Sequence, residues 1–437
     1  MFANLLRGLF ALLIAAPAWA GPPIQHWETG NGARVLFVEA RDLPMLDVRV
    51  SFDAGSARDG EIHGLASLTA DLLDQGIVLE GGEKDAQAVA EAFENIGARF
   101  GASVTQDAVT LSLRSLIDPA RLDPALATFT AVMAQPRLAE DDFTRERERV
   151  LLGLKAGEQQ PGEVARRAFY KALYGAHPYA FPPEGEADNV KAMTAGQVRD
   201  FHKRHYVAAG MVIVLAGDLG REQAERLAER LASALPRGEA LPALPPVPEL
   251  REGKTLRIPF PSTQATIMAG QPGMARIDPD YFPLYVGNHV LGGSGFSSRL
   301  MEEIREKRGL AYSVYSQLMP MAVPGPFLMG MQTRLDQAAQ SERLLRENLE
   351  RFVKDGPTEA ELDHAKKNIV GGFPLRLDSN KDIADWLSVM GVYRLPLDFL
   401  DRYPEQVKAT SVASIRDAWQ RRIHPDRLVM VIVGGKE

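Results

Sequence analysis

Two stretches of the chain, residues 198–217 and 415–434, repeat the same order of polar and apolar positions. In each, a polar segment with helical spacing leads through a short turn into an apolar run with β-branched residues, which ends at a glycine. A helix, a turn and a buried strand that recur in the same register indicate an internal repeat. The pattern therefore predicts two homologous halves that arose by duplication.

The other periodic segments predict the same kind of layer in each half. Alternating or continuous apolar residues predict strands, and apolar residues at every third or fourth position predict helices. The predicted strands are 33–39, 47–53, 99–104, 109–116, 254–259 and 264–270, and the predicted helices are 64–73, 86–96, 141–155 and 281–291. Strands grouped together and flanked by helices predict an α+β fold of two α/β-sandwich domains.

A proline-rich segment separates the two predicted domains. Five prolines lie between residues 236 and 248. Proline fixes its own φ angle and has no amide N–H, so this segment is neither a helix nor a central strand. We assign residues 21–235 to an N-terminal domain, 236–252 to a linker and 253–437 to a C-terminal domain.

The first twenty residues have the layout of a secretory signal peptide. Arg7 precedes the apolar run 8–16, and the small-x-small triplet 18–20 follows Pro17. This order predicts cleavage after Ala20 and an exported protein, which in a Gram-negative cell enters the periplasm. An uncleaved anchor helix is the alternative, although the apolar run is short for a bilayer. No later stretch is long and apolar enough to predict a membrane span after cleavage.

Composition excludes several classes of function. The 437 residues are 45% hydrophobic and 24% charged, which is typical of a chain that buries real cores and not of a disordered one. The chain has no cysteine, which excludes disulfides, thiolate metal sites and thiol nucleophiles. A net charge of −7 argues against nucleic acid as a partner.

The helical segment 64–73, with its approach from residue 59, resembles the start of the zinc-binding helix in the pitrilysin, insulin-degrading enzyme and mitochondrial processing peptidase family. The family motif is H-x-x-E-H, in which two histidines on one helical face hold zinc and the glutamate is the general base. The matching positions in this chain are Ser67, Ala70 and Asp71. Both histidines and the base are therefore absent.

The downstream helix of the family, which completes the zinc site, is also altered here. Glu146 matches the family's supporting glutamate, but the ligand position seven residues later is Gly153. Catalytic zinc usually needs three protein ligands, so we expect this chain to bind no zinc. A rebuilt site from His63, Asp71 and Asp74 is the alternative; a solvated acidic helix edge is the interpretation we favour.

Three further histidines are interpreted without a metal. His177 lies in a His-Pro-Tyr stretch that matches the same family, and we interpret it as structural. His202 and His205 lie three residues apart on a basic segment without a third ligand nearby. We interpret these two as part of a solvated helix face.

The second half contains a glycine-rich turn, Gly292-Gly293-Ser294-Gly295, followed by a charged helical segment and a strand. It lacks the lysine of a phosphate-binding loop and the frame of a serine nucleophile elbow. The turn resembles the loop in the zinc-less subunit of mitochondrial processing peptidase, which implies contact with substrate. A tight helix-entry turn is the equally weighted alternative.

Arg305 and Tyr312 match an arginine and a tyrosine seven residues apart in the C-terminal half of the same family. The resemblance implies that this pair reaches into the zinc site of a facing domain. A tyrosine hydroxyl can donate to the oxyanion of a tetrahedral intermediate, and an arginine can hold the peptide backbone. A surface arginine and a tyrosine packed at a strand start are the structural alternative.

The resemblance implies a division of labour between two chains. This chain, with its two domains arranged as a clamshell, supplies Arg305 and Tyr312, while a homologous partner supplies H-x-x-E-H and zinc. The substrates are then unfolded peptides, bound partly by strand addition to a sheet edge. We expect the chain alone to be inactive. The alternative is a non-catalytic structural or peptide-binding protein of the same family.

Overall fold

The computed structural model describes residues 23–435. The predicted signal peptide, residues 1–20, lies outside this range. Along the described part of the chain, no helix combines the length and the apolar character needed to cross a membrane.

The N-terminal half is built on a six-stranded mixed sheet with the strand order β1-β2-β8-β3-β7-β6. Its strands are β1 (Gln25–Glu28), β2 (Arg34–Glu39), β3 (Met45–Phe52), β6 (Arg99–Val104), β7 (Val109–Leu116) and β8 (Val212–Gly217), while β4 (Gly76–Leu79) and β5 (Gly82–Asp85) form a separate hairpin. The helices are α1 (Leu65–Leu72), α2 (Ala86–Glu94), α3 (Pro119–Ala134), α4 (Glu140–Gly157), α5 (Pro161–Tyr174), α6 (Ala187–Ala192), α7 (Ala195–His205) and α8 (Arg221–Ser233).

The C-terminal half is built on a five-stranded sheet with the order β11-β12-β10-β13-β9. Its strands are β9 (Lys254–Ile258), β10 (Gln264–Pro272), β11 (Ala311–Leu318), β12 (Pro326–Arg334) and β13 (Val429–Val433). The helices are α9 (Tyr281–Asn288), α10 (Ala338–Asp355), α11 (Glu359–Gly372), α12 (Asn380–Val392), α13 (Phe399–Ala409) and α14 (Val412–Arg422).

The two sheets have matching topologies, which confirms the fold predicted from the repeat. Read from β9, the second sheet repeats the order of the first from β2 onward, with one parallel pair in each sheet. The repeated apolar runs become β8 and β13, which are buried along their whole length and lie at equivalent positions. Two α/β halves therefore share one architecture.

The halves exchange one helix each, which the sequence pattern does not reveal. Helix α5 of the first half packs on β10 and β13 of the second sheet, and α12 of the second half packs on β3 and β8 of the first sheet. At the second contact, a Cβ atom on Gly391 would lie only 2.3 Å from a methyl group of Val212. Separation of the halves would expose both apolar sheet faces, so the two halves stabilise each other.

The linker segment 236–252 contains no helix or strand and packs against both halves; Glu249, for example, lies 3.7 Å from Arg427 of the C-terminal half. Arg58 donates to the carbonyl of Pro242 at 2.8 Å. A ring nitrogen of His177 lies 3.0 Å from the carbonyl oxygen of Pro245, while the other ring nitrogen accepts the amide N–H of Tyr179. Both nitrogens of His177 are thus engaged, as expected for a structural histidine.

The interpretation of His202 and His205 as a solvated face is wrong. His205 is buried and stacks on Phe201, and His202 is largely buried beside the carbonyl of Met133, 3.0 Å away. The His205 ring lies on the apolar side of the amphipathic helix α7, which packs against α1, and the partly buried ring of His202 lies at the edge of that side. Lys203 and Arg204, which lie between the two histidines, are exposed and give this segment its polar character.

Candidate functional site

Helix α1 presents the positions that match the family's zinc-binding motif. Its start is held by Asp59, whose carboxylate accepts the amide N–H groups of Gly64 at 2.7 Å and Ala66 at 2.8 Å. Burial raises the pKa of Asp59 to about 7. Leu65, Leu68 and Leu72 point into the core, which leaves the opposite face of α1 directed towards α4.

A polar cavity of about 420 Å³ lies between α1, α4 and the start of α5. Ser67 and Asp71 line it from α1, and Arg149 and Gly153 line it from α4. Ala70 does not line this cavity and is buried in the core. We call this region the α1–α4 cleft. It brings together three of the four positions at which the sequence analysis places lost zinc-site residues.

Arg149 pairs with two carboxylates between α1 and α4, while Arg166 pairs with Glu163 and Glu184 at the other end of the cleft. The Nε of Arg149 lies 2.5 Å from Glu146 Oε2, and a terminal nitrogen lies 2.9 Å from Asp71 Oδ2. Burial raises the pKa of Asp71 above its ordinary value, and Arg149 opposes that rise. Burial also raises the pKa of Asp74, which accepts from the Gln75 side chain at 2.9 Å. The acidic edge is partly solvated, since the side chain of Asp71 is 40% exposed, and it also forms an ion pair between two helices.

The residues of the cleft do not fit zinc. Ser67 offers a neutral hydroxyl, Gly153 offers no side chain, and the nearest carboxylate is already paired with Arg149. His63 is engaged elsewhere, since it stacks on Phe181 with 3.4 Å between ring centroids. Across residues 23–435, no three histidine or carboxylate side chains lie close enough to hold a metal ion. Hence the rebuilt site that includes His63 does not form.

The second predicted site, with Arg305 and Tyr312, lies where the charged segment leads into β11. The guanidinium carbon of Arg305 lies 4.6 Å from the ring centroid of Phe296 and 5.4 Å from that of Tyr312. Phe296 is 71% exposed and Tyr312 is 86% exposed. These three residues form what we call the arginine cluster, in which two rings hold one cation by cation–π contacts.

The charge of Arg305 has no carboxylate partner. The nearby carboxylates of Glu302 and Glu303 pair instead with Lys307 and Arg308, at 2.7 to 2.9 Å. Within the part of the chain that the structure describes, Arg305 forms no ion pair. The cluster therefore presents a cation and a phenol hydroxyl to solvent, and the strand that carries Tyr312 is an edge strand.

The glycine-rich turn positions the cluster. A Cβ atom on Gly292 would lie 2.4 Å from the amide nitrogen of Ser316 in β11, and one on Gly293 would lie 2.9 Å from the side chain of Asn288. Close packing thus requires both glycines. Gly295 has a φ of 63° with open space around it, and it directs the chain outward into Phe296.

Ser294 lies between these glycines and is half-buried; its carbonyl accepts the hydroxyl of Ser297 at 3.3 Å. The turn is therefore buried at Gly292 and exposed at Gly293, Gly295 and Phe296. Contact of this turn with substrate stays a prediction.

The two regions do not form one site within the chain. The α1–α4 cleft is lined only by residues of the N-terminal half, and the arginine cluster consists only of residues of the C-terminal half. Neither Arg305 nor Tyr312 lines the cleft. Arg149 and Phe296 were not identified from the sequence, because no motif marks either residue. The local signals are weak: Arg149 lies three residues after Glu146, and Phe296 directly follows the glycine-rich turn.

Comparisons with known proteins place the chain among zinc peptidases and their inactive relatives. The family described as insulinase (peptidase family M16) matches residues 34–185, and the peptidase M16 inactive domain matches residues 192–369. The chain is 27% identical to the non-peptidase homolog YmxG of Helicobacter pylori, over 99% of this chain and 98% of that protein. It is 30% identical to an uncharacterized zinc protease of Mycobacterium leprae, over 83% of this chain and 80% of that protein.

A solved structure is similar over nearly the whole chain. The crystal structure of a peptidase M16 inactive domain from Pseudomonas fluorescens superimposes with a TM-score of 0.91 and 40% sequence identity. The match covers 95% of this chain and 98% of that one. The similarity thus extends across both halves and the linker between them.

Proposed function

Because the chain belongs to the insulinase family of peptidases, M16, we propose that it is the non-zinc-binding subunit of an exported, two-chain zinc metallopeptidase. The chain itself is an inactive homologue within that family. In the proposal, a homologous partner carries H-x-x-E-H and zinc, and this chain contributes Arg305 and Tyr312 to the partner's site. The signal-peptide pattern of residues 1–20 supports export of this chain, to the periplasm in a Gram-negative cell, and the proposal requires the partner to reach the same compartment.

The arginine cluster is the observation that carries the proposal. Two large exposed rings contact an arginine that forms no ion pair within residues 23–435. Exposed aromatic residues around an arginine are typical of protein interfaces and binding sites. A chain whose own cleft has lost its zinc ligands gains nothing catalytic from such a pair, whereas a facing chain with zinc does.

The chemistry of the two side chains suits peptide hydrolysis. Zinc in the partner would supply an activated water. Tyr312 can donate its hydroxyl proton in a hydrogen bond to the oxyanion that forms at the peptide carbonyl. Arg305, held between two rings, can donate to the carbonyl groups of an extended peptide. Unfolded peptides are the substrates that this arrangement favours, since an edge strand pairs with extended backbone.

Affinity capture of the tagged mature chain from the envelope fraction of its host tests the proposal. We expect a chain with H-x-x-E-H to co-elute, and the eluate to cleave a quenched peptide in a chelator-sensitive way. The pure chain should show no cleavage. Arg305→Ala should lower the activity of the eluate by about a hundredfold. Arg308→Ala is the matched control, because Arg308 pairs with Glu303 in the same segment and lies outside the cluster.

Two outcomes contradict the proposal. Zinc-dependent cleavage by the pure chain would show that no partner is needed. An inert chain that captures no peptidase would favour the alternative, a structural or peptide-binding protein of the same family.

A further inference from the structure

Arg149 is the cation that two helices share in the α1–α4 cleft. One of its carboxylate partners, Asp71, lies at the position that matches the second histidine of the zinc motif, and the other, Glu146, matches the supporting glutamate. We propose that the guanidinium of Arg149 takes the structural place of the metal ion: it ties α1 to α4 and closes the cleft to zinc. This inference concerns the chain alone and is independent of the proposed partner.

The geometry supports a bridging role for this side chain. Arg149 contacts Glu146 one turn earlier on its own helix and Asp71 on the facing helix, at 2.5 and 2.9 Å. A planar guanidinium can bind two carboxylates at once with fixed directions, much as a metal ion gathers ligands from separate elements. Arg145, one turn before Arg149 on α4, bonds to Asp142 and Gln75, lies 3.9 Å from Glu146 and forms no ion pair with Asp71.

The charges of the cleft require a cation. The Glu146 carboxylate is buried, Asp71 is half-buried, and Asp74 adds a third negative charge close by. The pKa of Asp71 is raised by burial and by these two carboxylates, and Arg149 is the group that lowers it. Buried carboxylates without a cation destabilise a fold, because their loss of hydration is not offset.

The position of Arg149 also explains why the cleft would not bind zinc if the metal were added. A zinc ion would have to displace Arg149 from both carboxylates, and two of the remaining family positions, Ser67 and Gly153, would supply at most a neutral hydroxyl. The open space beside Gly153 therefore does not amount to a coordination site.

Thermal unfolding of the full chain tests the role of Arg149. We expect Arg149→Ala to lower the Tm by about 2 °C, because it removes the ion pair to the half-exposed Asp71 and leaves the buried Glu146 with Arg145 alone, 3.9 Å away. Lys155→Met is the matched control, since Lys155 is an exposed cation on the same helix, and its Tm should stay unchanged. Millimolar guanidinium chloride should restore part of the lost Tm in Arg149→Ala, while the same concentration of sodium chloride should not.

Several outcomes would overturn the inference. These are an unchanged Tm in Arg149→Ala, or a loss that guanidinium restores no better than sodium. A rise in the Tm of the unsubstituted chain on addition of zinc, abolished by Asp71→Asn, would also overturn it. If Arg149→Ala does not fold, Arg149→Lys and Arg149→Gln replace it. The lysine variant, which keeps the charge, should have the higher Tm, and equal values would refute the role of the cation.

Discussion

The α1–α4 cleft and the arginine cluster each contain an arginine, and the two arginines differ in their partners. In the cleft, Arg149 is bound by two carboxylates, so the charges cancel within the chain. In the cluster, Arg305 contacts only two exposed rings, while its neighbouring glutamates pair with other cations. The first region is thus neutralised by contacts within the chain, while the second leaves its cation available, as the proposed function requires.

This contrast separates stability from function. A charge that is neutralised internally contributes to folding and offers little to a ligand, because its hydrogen-bond donors are already used. A charge that stays exposed contributes little to folding and keeps its donors available. Substitutions in the two regions should therefore affect different measurements.

The largest effect is expected from Tyr312→Phe, which removes only the hydroxyl group. In the complex with the zinc-bearing partner, we expect kcat/KM for a quenched peptide to fall by about a hundredfold, because one oxyanion donor is lost. The Tm of the isolated chain should not change, since Tyr312 is exposed. Tyr315→Phe, on the same strand and outside the cluster, is the control. A loss of Tm with unchanged kcat/KM would reverse the assignment of the two regions.

The opposite behaviour is expected from Glu146→Gln in the cleft. Its carboxylate is buried, but the Arg149 side chain that it binds is 59% exposed, so we expect a loss of at most about 1 kcal/mol in the free energy of unfolding. Urea unfolding measures this loss. At temperatures where the variant is folded, kcat/KM of the complex should remain as in the unsubstituted chain. A large fall in kcat/KM at full folding would mean that the cleft still takes part in the reaction.

Acid should destabilise the N-terminal half through its histidines and not through the cleft. Burial lowers the pKa of His205 to about 4, helped by Arg204 and Arg58, and burial also lowers the pKa of His202. The folded protein therefore binds fewer protons than the unfolded chain, whose histidines titrate near 6.5. The resulting stability is present above pH 6.5 and is lost as the pH falls towards 4.

The expected loss for His205 over this range is about 1–2 kcal/mol, measured by urea unfolding at several pH values. His205→Phe should flatten the pH dependence, and His26→Gln, at an exposed position, should leave it unchanged. The raised pKa of Asp71 has the opposite sign, because protonation of this group in acid favours the folded state. An acid transition that disappears in Asp71→Asn and persists in His205→Phe would contradict this account.

The strands of the fold could be predicted from the sequence, whereas the way the halves join could not. The apolar runs of β8 and β13 are local patterns, and their repetition indicated two related sheets. The exchange of α5 and α12 leaves no such pattern, because an amphipathic helix carries the same apolar stripe whichever sheet it covers. Its partner is decided by long-range packing.

In the candidate sites, too, the residue types could be read from the sequence, whereas the contacts between them could not. The absence of zinc ligands at Ser67, Ala70 and Asp71 is a matter of residue type, and the sequence states it directly. The pairing of Arg149 with Asp71 could not be predicted from residue type, because alternating charges on α4 are equally compatible with ion pairs along one helix. Likewise, Phe296 becomes notable only when the turn places its ring over Arg305.

The smallest effect is expected from Phe296→Ala, which tests whether an aromatic ring orients Arg305 in place of a carboxylate. The centroid of the Phe296 ring lies 4.6 Å from the guanidinium carbon of Arg305. This contact leaves a large aromatic side chain mostly exposed to solvent. If the ring positions the arginine, Phe296→Ala should lower kcat/KM of the complex by about tenfold through a freer Arg305, and Phe296→Trp should restore it. Leu375→Ala, at another exposed apolar side chain of the same half, is the control. Equal activity of Phe296→Ala and the unsubstituted chain would mean that Arg305 is ordered by its partner alone. A loss that Phe296→Trp restores would mean that ring contacts alone orient this cation within the chain, whereas two carboxylates orient Arg149.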